Sequence, residues 1–325
     1  MALRNYRGMP PRTALVTLLV DTIRRPSVEE MTLADIHRSR ATVFPTRPPL
    51  TWVTGRADPN VGISFGTAPA RDGYAIPLRI YRPRSLRNTS PGVVAWFHGG
   101  GWVLGNVVNY DPICTAIATG CGAVVVSVDY RLAPEHVAPR AIQDCIDATR
   151  WVAAHAGALR ADGSRLAVAG DSAGGNIAAV VAQVLRDDGS SAIRAQGLVY
   201  PATDLTRSSP SIAEHAHAGV LTRAAIDAFL EHYCPPGTDV TDPLLSPLFG
   251  NLAHLPPALV QTADLDPIRD DGSRYAAALL AAGSPAHLTN YRGVPHGFAS
   301  MPGASRLGAR QRRELVDFLG HHLTA

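Results

Sequence analysis

Between positions 166 and 185 an apolar run breaks into a glycine-rich turn and restarts as a helix, and few folds accommodate that. Leu166, Ala167, Val168 and Ala169 lead into Gly170-Asp171-Ser172-Ala173-Gly174-Gly175, and residues 176–185 continue with helical spacing. A strand that turns so abruptly into a helix needs glycine on both sides of the turning residue, because a Cβ there would collide with the neighbouring strand and helix. The turning residue is Ser172. A serine at the tip of such a turn, backed by the positive end of the new helix, is placed to act as a nucleophile. A serine that merely caps a helix would look the same, so this stretch leaves both readings open.

The surroundings predict an α/β fold. Residues 93–97, 123–128, 166–169, 196–200, 258–262 and 287–291 form short apolar or extended runs, mostly separated by segments of helix length. Near-continuous apolar strands alternating with helices imply a mostly parallel central sheet with helices on both faces, and functional groups then gather at the carboxyl ends of the strands. Residues 52–82 alternate around Asp72-Gly73 and predict an antiparallel hairpin. Residues 1–50 predict loosely amphipathic helices broken by prolines, the second starting at Ser27 as its cap. The more than fifty residues between the runs at 196–200 and 258–262 exceed a simple crossover and predict an insertion. The expected organisation is N-terminal cap helices at 1–50, core at 51–204, a cap insertion at 205–250, and core again at 251–325.

Composition narrows the chemistry. All 30 basic residues are arginine. Without lysine there is no Walker A phosphate loop, no pyridoxal-phosphate Schiff base and no S-x-x-K hydrolase, so a nucleophilic Ser172 requires a histidine base. Arginines are scattered against 27 acidic residues for a net charge of +3, which gives no nucleic-acid footprint. Cys114, Cys121, Cys145 and Cys234 show no metal or redox spacing, and His215-Ala216-His217 and His321-His322 lack further ligands, so no metal is expected. The apolar run at 14–20 lies between Arg12 and Asp21 without a small-residue cleavage site and predicts one face of a helix rather than a signal segment. No stretch approaches membrane-spanning length. A cytoplasmic protein is the expectation.

Several strand ends carry chemically capable residues. The run at 93–97 leads into His98-Gly99-Gly100-Gly101-Trp102, whose bare backbone N–H groups suit a developing oxyanion. The run at 258–262 leads into Ala263-Asp264-Leu265-Asp266-Pro267, where Asp-Pro is also an ordinary helix start. Asp264 and Asp266 lie two apart, and an extended stretch could point both the same way. The last run leads into Pro295-His296-Gly297-Phe298. Serine, aspartate and histidine thus follow in the order Ser172, Asp266, His296, each at a strand end.

On these residues the sequence resembles the hormone-sensitive-lipase-like branch of the α/β-hydrolases. The likeness rests on His98-Gly99-Gly100-Gly101, Gly170-Asp171-Ser172-Ala173-Gly174, Asp266-Pro267-Ile268-Arg269-Asp270-Asp271-Gly272 and His296-Gly297-Phe298. It also takes in Asp129-Tyr130-Arg131-Leu132-Ala133-Pro134-Glu135-His136 and runs from about residue 75 to the C-terminus. One departure is His136-Val137-Ala138-Pro139-Arg140, where the branch usually places proline directly after the histidine. The resemblance implies an α/β-hydrolase fold with a helical cap and a carboxylesterase of small or medium acyl esters. It further implies a Ser172–His296–Asp266 triad, an oxyanion hole of Gly100, Gly101 and Ala173 N–H groups, and no cofactor. The match to the Asp-Pro motif favours Asp266 over Asp264. Trp102, Tyr110 and the insertion are expected to wall the acyl pocket, His98 to support its loop, and Asp129, Arg131 and Glu135 to form a structural ion-pair network. Expected partners are a small-molecule ester, with no nucleic acid and no membrane span; oligomeric state is left open, a homodimer included. An amidase or deacetylase with the same triad, or a non-catalytic ligand-binding relative, are the alternatives.

Overall fold

A computed structural model describes residues 6–23, 26–86, 89–190 and 192–324. The chain opens with α1 (Pro11–Ile23), α2 (Leu33–Ala41) and a single turn, α3 (Thr51–Thr54), before β1 (Val61–Pro69) and β2 (Ala75–Pro83) form the hairpin. Then come β3 (Val93–Phe97), α4 (Asp111–Cys121), β4 (Val124–Val128), α5 (Arg140–His155), β5 (Leu166–Asp171), α6 (Ala173–Asp187) and β6 (Ile193–Val199). After α7 (Pro210–Glu214) and α8 (Arg223–Tyr233), the core resumes with β7 (Ala258–Leu265), α9 (Arg269–Ala281), β8 (Ala286–Pro295) and α10 (Arg306–Thr324).

The eight strands form one sheet in the order β1-β2-β4-β3-β5-β6-β7-β8. β1 and β2 pair antiparallel, β2 and β4 antiparallel, and every later pairing is parallel. The period of two along each strand divides the core. On β3, Val93, Ala95 and Phe97 join the cluster with α5, α6 and α9, while Val94 and Trp96 join the one with α4 and α10. Both faces are covered, which is why β3 is apolar throughout and the strands beside it are mostly so.

The turn from β5 into α6 is where β3 constrains the chain most tightly. A Cβ on Gly174 would fall on the Phe97 carbonyl oxygen, and one on Gly170 would strike the same carbonyl and that of Gly174. Both contacts are backbone to backbone, so no rotamer relieves them.

The N-terminal expectations need correction. Ser27 heads only the single turn Val28–Glu30, its N–H and hydroxyl both donating to the Glu30 carboxylate. The helix α2 starts later, where Thr32 and Asp35 form a second capping box: Asp35 N–H donates to Thr32 Oγ1 at 3.2 Å, and Thr32 N–H to Asp35 Oδ2 at 2.9 Å. Trp52, expected to begin the extended region, lies instead in α3, where 3.0 Å bonds from Trp52 to Pro49 and from Thr54 to Leu50 close a local turn. The run at 14–20 is helical, but the buried side chains of α1 are Thr13 and Thr17, while Leu15, Leu18, Leu19 and Ile23 are exposed.

The interval between β6 and β7 divides. Its first part carries α7 and α8, which pack with the 28–30 turn through Ile212, Leu221, Ala225, Ile226, Phe229 and Val28. Its later part lies along α6, held by Asn176 Nδ2 on the Leu245 carbonyl at 2.7 Å and Gln183 Nε2 on the Pro247 carbonyl at 2.9 Å. A polar seam joins α7 to α9. The buried Asp271 carboxyl accepts from the Ser209 hydroxyl and, at 3.3 Å, from the Asp204 N–H. Asp204 takes the Arg274 guanidinium at 2.6 Å, and the Ser211 hydroxyl donates to the Pro267 carbonyl at 2.6 Å. Burial pushes the Asp271 carboxyl up to about 8 despite its bond from Ser209.

Two outcomes follow. Gly174→Ala has no relaxed arrangement and is expected to cost about 2 kcal/mol or more, seen as a Tm several degrees lower. For Asp271, the folded state holds the proton to about pH 8 against an ordinary value of 3.8. Folded protein therefore binds more protons between those values, and the stability this group supplies is full at low pH and lost as pH rises through about 8. Asp271→Asn, which cannot ionise, should show a smaller fall in Tm from pH 5 to pH 9 (about four pH units) than the parent; parallel slopes would sink the assignment.

Candidate active site

Ser172 sits between β5 and α6 with φ 56° and ψ −119°. That is an unfavourable backbone for a residue with a Cβ, costing on the order of 1–3 kcal/mol. Its N–H donates to the Val199 carbonyl at 2.8 Å, which fastens the turn to β6, and its carbonyl starts the helix by accepting from Asn176 at 3.0 Å. The geometry leaves Oγ pointing into a cavity of about 1000 Å³ that Ser172 and His296 both line.

His296 follows β8, with Gly297 at φ 75° turning the chain immediately after it. Its Nε2 lies 2.9 Å from Ser172 Oγ and its Nδ1 2.7 Å from Asp266 Oδ2. Asp266 is fully buried, and its other oxygen accepts the Ile268 N–H at 3.0 Å. The Tyr200 ring packs on the imidazole with centroids 4.5 Å apart. Asp264 is not brought to the histidine. The β7–β8 register shifts between Ala263 and Leu265, and the Asp264 carboxylate takes the Gly293 N–H at 3.2 Å and Asn290 Nδ2 at 3.4 Å.

The glycine turn after β3 lines the same cavity as Ala173. Gly99 N–H donates to Asp171 Oδ1 and to the Tyr110 hydroxyl, both at 2.9 Å, and that hydroxyl donates to Asp171 Oδ2 at 3.2 Å. Burial pushes the Asp171 carboxyl up to about 6, opposed by the Gly99 N–H. Gly100 (φ 127°) and Gly101 (φ 61°) occupy conformations that glycine alone adopts easily. The Gly100 carbonyl accepts Val103 and Leu104 N–H groups at 3.1 and 2.8 Å, while the N–H groups of Gly100 and Gly101 make no backbone hydrogen bond among the described residues. A Cβ on Gly101 would enter the Phe229 ring of α8.

Trp102 and Tyr110 both line the cavity. Trp102 stacks on Tyr233 at the end of α8, centroids 4.7 Å apart and planes within 5°. His98 lies away from Ser172, buried and stacked on Tyr130 at 4.5 Å, and burial lowers its pKa and keeps the ring neutral. Arg131 pairs with Asp144 at 2.6 Å and with Asp72 at 2.8 Å, and Glu135 pairs with His37 and Arg40 of α2. Asp129 has no ion pair among the described residues, and burial raises its carboxyl.

Three contributors were not legible as site residues. Arg40 reaches from α2 to the glycine turn, its Nε donating to the Val103 carbonyl at 2.7 Å and its Nη2 to the Ala133 carbonyl. Tyr200 covers the imidazole and Phe229 covers Gly101. The only sequence signal among them was the position of Tyr200 at the end of the extended run 196–200. With Leu104, Leu205, Ile212, Leu221 and Ile226, Phe229 gives the cavity an apolar wall.

Comparisons with known proteins agree with the fold. A family profile described as alpha/beta hydrolase fold matches residues 94–300. Carboxylesterase NlhH of Mycobacterium tuberculosis (strain H37Rv) is 49% identical over 230 residues, covering 69% of this chain and 72% of that protein. The ethyl acetate hydrolase of Pseudomonas putida is 37% identical over 274 residues, 83% of this chain and 86% of that protein. The solved esterase of the archaeon Pyrobaculum calidifontis superposes with a TM-score of 0.86 at 36% identity, covering 98% of this chain and 100% of that one. The matched region takes in the glycine turn, Ser172, Asp266 and His296, and the chain belongs to the α/β-hydrolase fold family, in its hormone-sensitive-lipase-like branch.

Proposed function

We propose that the protein is a serine carboxylesterase acting on small or medium acyl esters through an acyl-enzyme. The observation that carries this is the unbroken hydrogen-bond series Asp266–His296–Ser172 at the floor of an apolar cavity beside the Gly100, Gly101 and Ala173 N–H groups. Its relatives named carboxylesterase and ethyl acetate hydrolase support the substrate class.

The chemistry follows from where the protons can go. Ser172 Oγ attacks the ester carbonyl carbon while His296 Nε2, 2.9 Å away, takes the hydroxyl proton. Asp266, already bonded to Nδ1, fixes the tautomer that leaves Nε2 free to accept and stabilises the imidazolium. Negative charge developing on the former carbonyl oxygen meets the N–H groups of Gly100, Gly101 and Ala173, each donor lowering the barrier by on the order of 3 kcal/mol. Collapse of the tetrahedral intermediate breaks the bond to the alcohol, which leaves with the proton from His296. Water then attacks the acyl-Ser172 ester with His296 again as base, releasing the acid and restoring the serine. The Asp171–Gly99–Tyr110 cluster braces the donor turn and takes no proton from substrate. The cap helices α1, α2, α7 and α8 enclose the acyl chain.

Ser172→Ala should lower turnover of short p-nitrophenyl esters by at least roughly a thousand-fold in a protein with unchanged Tm, and a fluorophosphonate probe should label the parent at Ser172 alone. Asp266→Asn should cut kcat by about four orders of magnitude, whereas Asp264→Asn should change it no more than a few-fold. Turnover by Ser172→Ala within about ten-fold of the parent, or the reverse order of the two aspartates, would refute the mechanism. Hydrolysis of a matched anilide at the rate of the ester would make it an amidase.

A further inference from the structure

The helix α1 is out of place for a soluble surface. A surface helix ordinarily turns its apolar side to the core, yet in α1 Leu15 is 58%, Leu19 51% and Ile23 77% exposed, while the side chains turned inward are Thr13 and Thr17. A second segment adds to the same surface. Phe44 is 44% and Trp52 67% exposed, and neighbouring residues tie the two together: Gly303 N–H holds the Val53 carbonyl at 2.9 Å and the Ala304 carbonyl receives Thr13 Oγ1 at 3.4 Å. Leu18, Ile23 and Phe44 are exposed and also line the cavity, so they rim its mouth.

Charge is concentrated on this segment. The first 56 residues hold nine arginines and four acidic residues, a surplus of five, whereas the whole chain carries only three. The rest of the chain is therefore net negative. In sequence, Arg7 and Arg12 stand before the apolar run of α1, and Arg24 and Arg25 follow the helix. The one acid within α1, Asp21, is turned inward onto the Tyr6 hydroxyl at 2.9 Å and the Val220 N–H at 3.0 Å.

We propose that this face docks on an anionic lipid surface, with the cavity mouth toward the lipid. Exposed leucines and an isoleucine enter the headgroup–acyl boundary, Trp52 sits at the interfacial level, and the exposed Arg7 and Arg12 meet the headgroups. A second copy of the chain fits less well, because a two-fold contact would set the arginine-rich segment against itself. No helix among the described residues is long and apolar enough to cross a bilayer, so attachment is peripheral. If the esterase reading holds, an amphiphilic ester passes from lipid into the cavity without crossing water; the docking itself does not depend on that reading.

The test is sedimentation of the full chain with phosphatidylglycerol–phosphatidylcholine vesicles and with pure phosphatidylcholine vesicles, at low and high salt, with tryptophan emission recorded. Binding to the anionic vesicles, weakened by salt and accompanied by a blue shift that Trp52→Phe removes, is expected. Leu15→Ser/Leu19→Ser, which alters neither the cavity lining nor the reacting groups, should reduce binding by roughly ten-fold and leave hydrolysis of a soluble short ester unchanged. Absence of binding, equal binding to uncharged vesicles, or undiminished binding by the double variant overturns the proposal. So does a dimer, seen by sedimentation velocity without lipid, that the double variant converts to monomer. Binding without hydrolysis of soluble esters leaves the docking intact and overturns the esterase reading instead.

Discussion

The approach of two backbones, the end of β3 against the first turn of α6, determines where everything else in the site can lie. With the Phe97 carbonyl occupying the space of a Cβ on both Gly170 and Gly174, α6 must start hard against the strand. Ser172, caught between those glycines, is forced to positive φ, and the residue just before it, Asp171, is left facing the backbone that leaves β3. Its carboxylate takes the Gly99 N–H. The serine and the glycine turn are therefore placed by one contact, the end of β3 against the β5–α6 turn, rather than by two independent loops.

Around that contact the cap is fastened at points that are also site supports. Arg40 of α2 holds the Val103 and Ala133 carbonyls behind the glycine turn while its guanidinium pairs with Glu135. Ser209 and Ser211 tie α7 to the segment between Asp266 and Asp271, the segment that supplies the partner of His296. The charges spent on these seams are mostly satisfied within them, which leaves the cavity wall apolar where α8 faces it.

Much of this was readable from residues. The central strands announced themselves because both their faces are covered, and the serine, histidine and glycine turn stood directly at strand ends. Asp264 and Asp266 were harder to tell apart, since an unbroken strand would present them alike; the register shift on β7 separates them, and nothing in the local sequence encodes it. Arg40, Tyr200 and Phe229 act across gaps of about sixty residues or more, where no spacing rule reaches. Ser27 misled because two capping boxes stand close together and only the second, at Thr32, opens a full helix. The run at 14–20 is helical as expected, with the threonines of α1 and not its leucines turned inward.

Phe229 occupies the space that a side chain on Gly101 would need, and Trp102, the next residue, is stacked on Tyr233 from the same helix. The cap is thus not an interchangeable module. Recombining this core with a foreign lid would set new side chains against Gly101 and Trp102, so a crossover that keeps α8 and the 98–105 turn together preserves both contacts.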